Sequence, residues 1–327
     1  MAFSFHKRGQ LPLAGLCCGV KIPVLLLASV FFIPSCKQSP ASTSAQTLSA
    51  KPFLSPQNIY LLQERRGQIL AWSLRCDSSV AKGNCDVGDA SLFNGLLCLS
   101  GDGVSCGAVR RSQGTDGRMW RAPTRVEADS INSFSRDMAV GVLAYLVATR
   151  DVELAQRWMN WIEKNDFRLC GQSTDNRCDF TPGFWMLFRD VWEFLGLQTH
   201  EKMNASVVED SVMALLQAQF APPGFEMHLA GVNALIRQSM GQKSQTLASL
   251  TQMLASRQPR NPFFAYLSLG PKPEVVAKTL DWCPATQPLE RAEWSFERDE
   301  SREAWKRSMG WECVMLANFL VRDLAPR

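Results

Sequence analysis

From residue 52 onward the apolar residues return at helical spacing, and nowhere do they alternate over a run long enough to make a strand. That confines the chain to helices packed on helices. The spacing predicts about twelve of them, near 55–75, 88–100, 104–113, 134–149, 151–164, 182–196, 205–220, 227–240, 244–256, 261–269, 272–282 and 301–322. With 46% hydrophobic and 20% charged residues the composition is globular, which excludes a disordered chain. No stretch reaches the roughly eighteen unbroken apolar residues of a membrane span.

The predicted helices alternate in character. Leu154, Trp158, Trp161 and Ile162 form a single apolar stripe, as do Leu247, Leu250 and Leu254, with Glu, Gln, Lys and Ser on the opposite faces. Met138 to Ala148 is apolar all round, and Leu92 to Leu99 nearly so, which requires burial on every side. Gly95, Gly141 and Gly231 fall inside such inner helices, where each costs about 1 kcal/mol relative to alanine, so close contact between helices is the expected compensation. Polar, aromatic and glycine residues collect where the inner helices begin: Gly88-Asp89, Phe134-Ser135-Arg136-Asp137, Thr181 to Trp185, Gly224 to His228 and Asn261 to Phe264.

Twelve helices pair as six hairpins, and the alternation of outer and inner helices resembles the six-hairpin glycosidase-like superfamily. That resemblance implies an all-α fold, an α/α toroid forming a single domain over residues 52–327, with a saccharide-binding cleft ringed by the N-termini of the inner helices. It rests on architecture, since no family's complete catalytic motif is matched. An irregular helical repeat bundle is the alternative.

Residues 1–35 read as a signal peptide. Lys7, Arg8 and Lys21 precede an apolar run, Ile22 to Ile33, of leader length and too short to span a bilayer. Ile33-Pro34-Ser35-Cys36 resembles the bacterial lipobox, which implies that Cys36 is lipidated and becomes the mature N-terminus; an ordinary secretory leader is the alternative. Lys37 stands where an inner-membrane retention signal places Asp, so the expectation is an outer-membrane lipoprotein on the periplasmic face. Residues 36–51 are rich in Ser, Ala, Thr and Gln and read as a flexible tether. The formal charge of +4 falls close to zero without the leader, since three of the 35 basic residues and none of the 31 acids leave with it. Nothing there points to nucleic acid.

Of eleven cysteines, Cys17, Cys18 and Cys36 belong to the leader and anchor, leaving an even eight in an exported chain, the arithmetic of disulfides. Cys76 and Cys85, Cys98 and Cys106, and Cys170 and Cys178 are near neighbours around turn-forming loops, so local pairing costs the least loop entropy. Cys283 and Cys313 remain for each other. With no C-x-x-C, and only His200 and His228 outside the leader, no zinc site and no thiol nucleophile is expected. No nucleophile elbow, phosphate loop, H-E-x-x-H or dinucleotide motif occurs, and no cofactor is implied.

The densest polar stretch is Val109 to Arg125 with Ser133 to Met138. Asp116-Gly117 is a turn signal. Trp120 offers a flat face for a sugar ring, while Arg118, Arg121 and Arg136 suit carboxylate or phosphate, which fits an anionic saccharide; a solvated arginine face is the bland alternative. Glycoside hydrolysis uses two carboxylates flanking the bond. Asp137 and Asp89 are the expected pair, both at the starts of buried helices, where they also suit helix capping. Trp185, Glu226 and His228 complete the expected substrate contacts; Glu226 is the reserve acid, and His228 is equally a structural histidine. Asp190 is expected to be a core residue paired to an arginine. Two readings follow: a carbohydrate-active, glycosidase-like envelope lipoprotein acting on polysaccharide or oligosaccharide, or a non-enzymatic saccharide-binding or envelope-assembly lipoprotein of the same fold.

Overall fold

In the computed structural model, residues 55–72, 90–128, 134–171, 176–203, 219–221, 223–283 and 311–324 are described. The leader and tether, Asp89, and Cys76 with Cys85 lie outside them. Eleven α-helices are seen among the described residues: α1 Pro56–Trp72, α2 Ala90–Leu99, α3 Gly103–Arg111, α4 Arg136–Thr149, α5 Val152–Lys164, α6 Pro182–Phe194, α7 Phe225–Ser239, α8 Gln245–Arg257, α9 Pro262–Leu269, α10 Pro273–Trp282 and α11 Trp311–Leu324. No strand accompanies them there, only the isolated bridges Gln113–Met119 and Arg168–Asp179. All these residues belong to one compact unit, Ala50–Arg327. The predicted segment 205–220 and the first part of 301–322 fall almost wholly outside the described residues.

The helix ends follow local chemistry. Asp102, Asp151 and Ser244 accept hydrogen bonds from the exposed amides of Val104, Leu154 and Leu247 at the starts of α3, α5 and α8. Asn261 does the same for Phe263 and Phe264. Pro182, Pro262 and Pro273 open α6, α9 and α10, where a missing amide hydrogen costs nothing.

The two kinds of helix are both present. Every residue of α2 is buried, as are Met138 to Val147 of α4 and Pro262 to Leu267 of α9. In α5, α8 and α10 burial is confined to one face. The buried helices touch one another in series: α2 packs on α4, α4 on α6 and α7, α7 on α9, and α11 back on α2. Between α9 and α11 the rings of Tyr266 and Phe319 stack at 5.5 Å, and the Tyr266 hydroxyl donates to Asp323. The expected glycine contacts are found. A Cβ on Gly95 would lie 1.9 Å from the Gly141 carbonyl oxygen, and one on Gly231 would lie 2.8 Å from the ring of Phe264.

Three expected disulfides are formed, Cys98–Cys106, Cys170–Cys178 and Cys283–Cys313. The first joins the end of α2 to α3, and the third ties the end of α10 to the first turn of α11. The second closes the segment before α6.

Candidate functional site

The loop between α3 and α4 is a built structure. Asp116 accepts from the Arg118 amide at 2.9 Å and from Trp161 Nε1 at 3.1 Å, tying the turn to α5. Arg157 of α5 donates to the Gly114 carbonyl at 2.8 Å. The Ser91 hydroxyl lies 2.9 Å from the carbonyls of both Trp120 and Arg121, which seats the loop on the first turn of α2. Inside it the Arg118 guanidinium lies 4.0 Å over the Trp120 ring and 5.6 Å from that of Trp161. Trp120 is only 6% exposed. The face expected to meet a sugar is therefore covered by Arg118, because a desolvated cation–π stack gains more by closing than by standing open. Arg121 remains half-buried.

Asp137 stands in the first turn of α4, next to Ser135, which occupies the cap position without a side-chain hydrogen bond to the helix. The neighbouring Arg136 donates to the carbonyls of Asn176 at 2.7 Å and Asp179 at 2.9 Å. Burial raises the Asp137 carboxyl above the usual carboxylate range, opposed by the nearby charges of Arg136 and Arg177 and by its own backbone amide. Trp185, half-buried on the first turn of α6, packs against Phe180, the residue after Asp179. Arg136, Asp137 and Trp185 thus share one neighbourhood through the 176–180 segment, whereas Arg118, Trp120 and Arg121 belong to the start of α2.

The remaining expected residues separate. Glu226 is exposed in the first turn of α7. Asp190 is a core residue, as expected, held by Arg237 at 2.5 Å and by Arg189 at 3.4 Å. His228 is buried with its Nε2 3.8 Å from Glu312, itself buried at the start of α11, and its ring lies 5.8 Å from Phe263 of α9. The early turns of α7, α9 and α11 therefore meet. Glu312 went unnoticed in the sequence although the signal was there: one acid just before the apolar run Cys313 to Ala317. Arg177, Asp179 and Phe180 were missed because the segment at the Cys170–Cys178 bridge sets them beside Asp137, Arg136 and Trp185 respectively, and no local spacing encodes that.

Burial lowers the His228 imidazole to about 3, so it is neutral at ordinary pH and its contact with Glu312 is not a full ion pair. Below about pH 6.5 an unfolded chain binds a proton there that the folded chain refuses, so stability is lost as pH falls from that point toward the depressed value. His228→Asn is expected to lose about 2 kcal/mol less than the parent between pH 7 and pH 5, measured by urea unfolding at each pH. Parallel losses would show that His228 titrates normally.

Among the described residues no group of three or more His, Cys, Asp or Glu is arranged to hold a metal ion. No helix among them is long and apolar enough to cross a membrane. No family model, no curated protein and no solved structure matches the chain, so its function rests on the residues and geometry described above.

Proposed function

We propose that the protein is an envelope lipoprotein, anchored through Cys36 to the periplasmic face of the outer membrane, whose helical domain is an α/α toroid that cleaves a polysaccharide. The alternation of exposed and buried helices supports the toroid, as does the series of buried-helix contacts returning from α11 to α2. Asp137 carries the reading. It stands in the first turn of a buried inner helix, the neighbouring Arg136 donates to two carbonyls, and burial raises its carboxyl above the usual carboxylate range. Those are the requirements of a general acid protonating a glycosidic oxygen. Asp89 immediately precedes α2, which packs on α4, and is the proposed base or nucleophile. The arginines suit a polymer carrying anionic groups.

Asp137→Asn is expected to lower product release from the cleaved polymer at least about a hundredfold, assayed on full-length protein across envelope and acidic polysaccharides. Its melting temperature should hold or rise slightly. A carboxyl whose folded value is raised weakens the fold wherever it ionises, and the amide removes that burden. A lower melting temperature with undiminished product release would make Asp137 a scaffold residue. Palmitate labelling of the full chain tests the anchor. The second reading, a saccharide-binding or assembly lipoprotein without turnover, is favoured by one observation, the half-buried rings of Phe180 and Trp185 lying 4.0 Å apart. It predicts binding that Asp137→Asn leaves intact and no product from either protein.

A further inference from the structure

The aromatic residues around α6 divide into two groups. Trp158, Phe184, Phe188 and Trp192 are buried, with Phe188 and Trp192 stacked at 4.1 Å. Phe180, Trp185 and Phe167 are only half-buried and carry the same stack outward. Phe180 and Trp185 lie 4.0 Å apart, Phe167 follows at 5.6 Å from Trp185, and His200 lies 4.6 Å beyond Phe167.

The strip ends in cations. Lys202 Nζ stands 4.2 Å over the Phe167 ring. At the other end Phe180 adjoins Asp179, whose carbonyl receives Arg136, and the charge of Arg177 reaches Asp137. The Asp179 carboxylate is held by Arg168 at 2.8 Å, while Glu201 adjoins Lys202.

Phe167 is displayed at a cost. It and Asp166 both adopt left-handed backbone, φ 60° and 55°, a region that a bulky side chain avoids. The segment is kept in place by the Cys170–Cys178 disulfide and by the Leu169 amide donating to the Cys178 carbonyl at 2.9 Å. The turn also ends α5, with the Phe167 amide donating to the Ile162 carbonyl at 3.0 Å, so the ring is held where it packs partly on the core and leaves part of its face in water.

The geometry points to the Phe180–Trp185–Phe167 strip, with Lys202 at one end and Arg136 and Arg177 at the other, as the binding surface for an acidic oligosaccharide leading toward Asp137. The inference rests on the proposed carbohydrate-handling function and moves the stacking platform away from Trp120. Aromatic faces take the C–H faces of sugar rings, and the terminal cations take carboxylates or sulfates on the same chain.

The test titrates full-length protein calorimetrically with hexasaccharides of alginate, hyaluronan and polygalacturonate, and with cellohexaose as the neutral counterpart. At least one acidic hexamer is expected to bind more tightly than cellohexaose. Lys202→Glu, a change at an exposed side chain, should weaken the acidic ligand about fivefold and leave the neutral one unchanged. Trp185→Leu and Phe180→Leu keep an apolar filling but remove the π faces, and should weaken both ligands about tenfold. Unchanged affinity in all three variants overturns the proposal, as does a parent that binds no acidic hexamer. The two readings fail separately. Strip variants that bind weakly alongside an Asp137→Asn protein that still releases product would sink the acid role alone. Normal binding by the strip variants with turnover lost in Asp137→Asn would sink only the strip.

Discussion

Gly95→Ala is expected to destabilise the fold by about 4 kcal/mol or more, enough to leave a domain of ordinary stability partly unfolded. The added Cβ would lie 1.9 Å from the Gly141 carbonyl oxygen, 2.4 Å from its carbon and 2.7 Å from its Cα. All three are backbone atoms, so no side-chain rotation relieves the clash. The helices must separate, and α2 is buried along its whole length. Gly141 is the reciprocal position, its added Cβ 2.2 Å from the Ser91 carbonyl oxygen. The better helix propensity of alanine returns only about 1 kcal/mol. Gly67 of α1 provides the control, because nothing lies within 4 Å of a Cβ placed there. Gly67→Ala should stabilise by about 0.5–1 kcal/mol. Urea unfolding of both variants measures the contrast, and a Gly95→Ala protein within about 1 kcal/mol of the parent would mean that α2 and α4 do not meet this closely.

Replacing Cys283 and Cys313 together by alanine should cost about 3–4 kcal/mol. They are 30 positions apart, so their bond removes more freedom from the unfolded chain than does Cys98–Cys106 at a separation of 8. On loop entropy alone the shorter bridge is worth about 2.5 kcal/mol. The longer one also holds a junction. Arg65 of α1 donates to the carbonyls of Leu280 and Cys283, and Arg66 donates to Asn318 of α11 at 2.6 Å, so α1, α10 and α11 meet beside the bridge. Denaturant unfolding under non-reducing conditions gives the two costs. Equal losses on removing either bridge would show that unfolded-state entropy does not govern them.

The helices were legible because their cause is local. Leu154, Trp158 and Ile162 are buried on α5 as their spacing requires, and the wholly apolar α2 and α4 are buried throughout. Of the three described disulfides, Cys98–Cys106 and Cys170–Cys178 followed from loop length and Cys283–Cys313 from elimination, and the glycine contacts from the cost of a helical glycine without compensation. The candidate site was legible only in pieces. Trp120 read as an open platform because its sequence neighbours are arginines, yet one of them, Arg118, folds back over its ring. Trp185 was singled out as a substrate contact, but its neighbours Phe180 and Phe167 were not recognised, since their approach depends on the Cys170–Cys178 segment.

The sequence by itself determined the helical character of the described residues, the order of their one-sided and wholly buried helices and the local pairs Cys98–Cys106 and Cys170–Cys178, because periodicity, composition and short-loop entropy are properties of neighbours along the chain. Tertiary structure alone decided that His228 faces Glu312, that Arg136 is drawn to the carbonyls of Asn176 and Asp179, and that the outer aromatic residues stop short of burial. Those contacts join helices far apart in sequence. Their partners are chosen by which surfaces exclude water together, and that choice exists only once the whole core has closed.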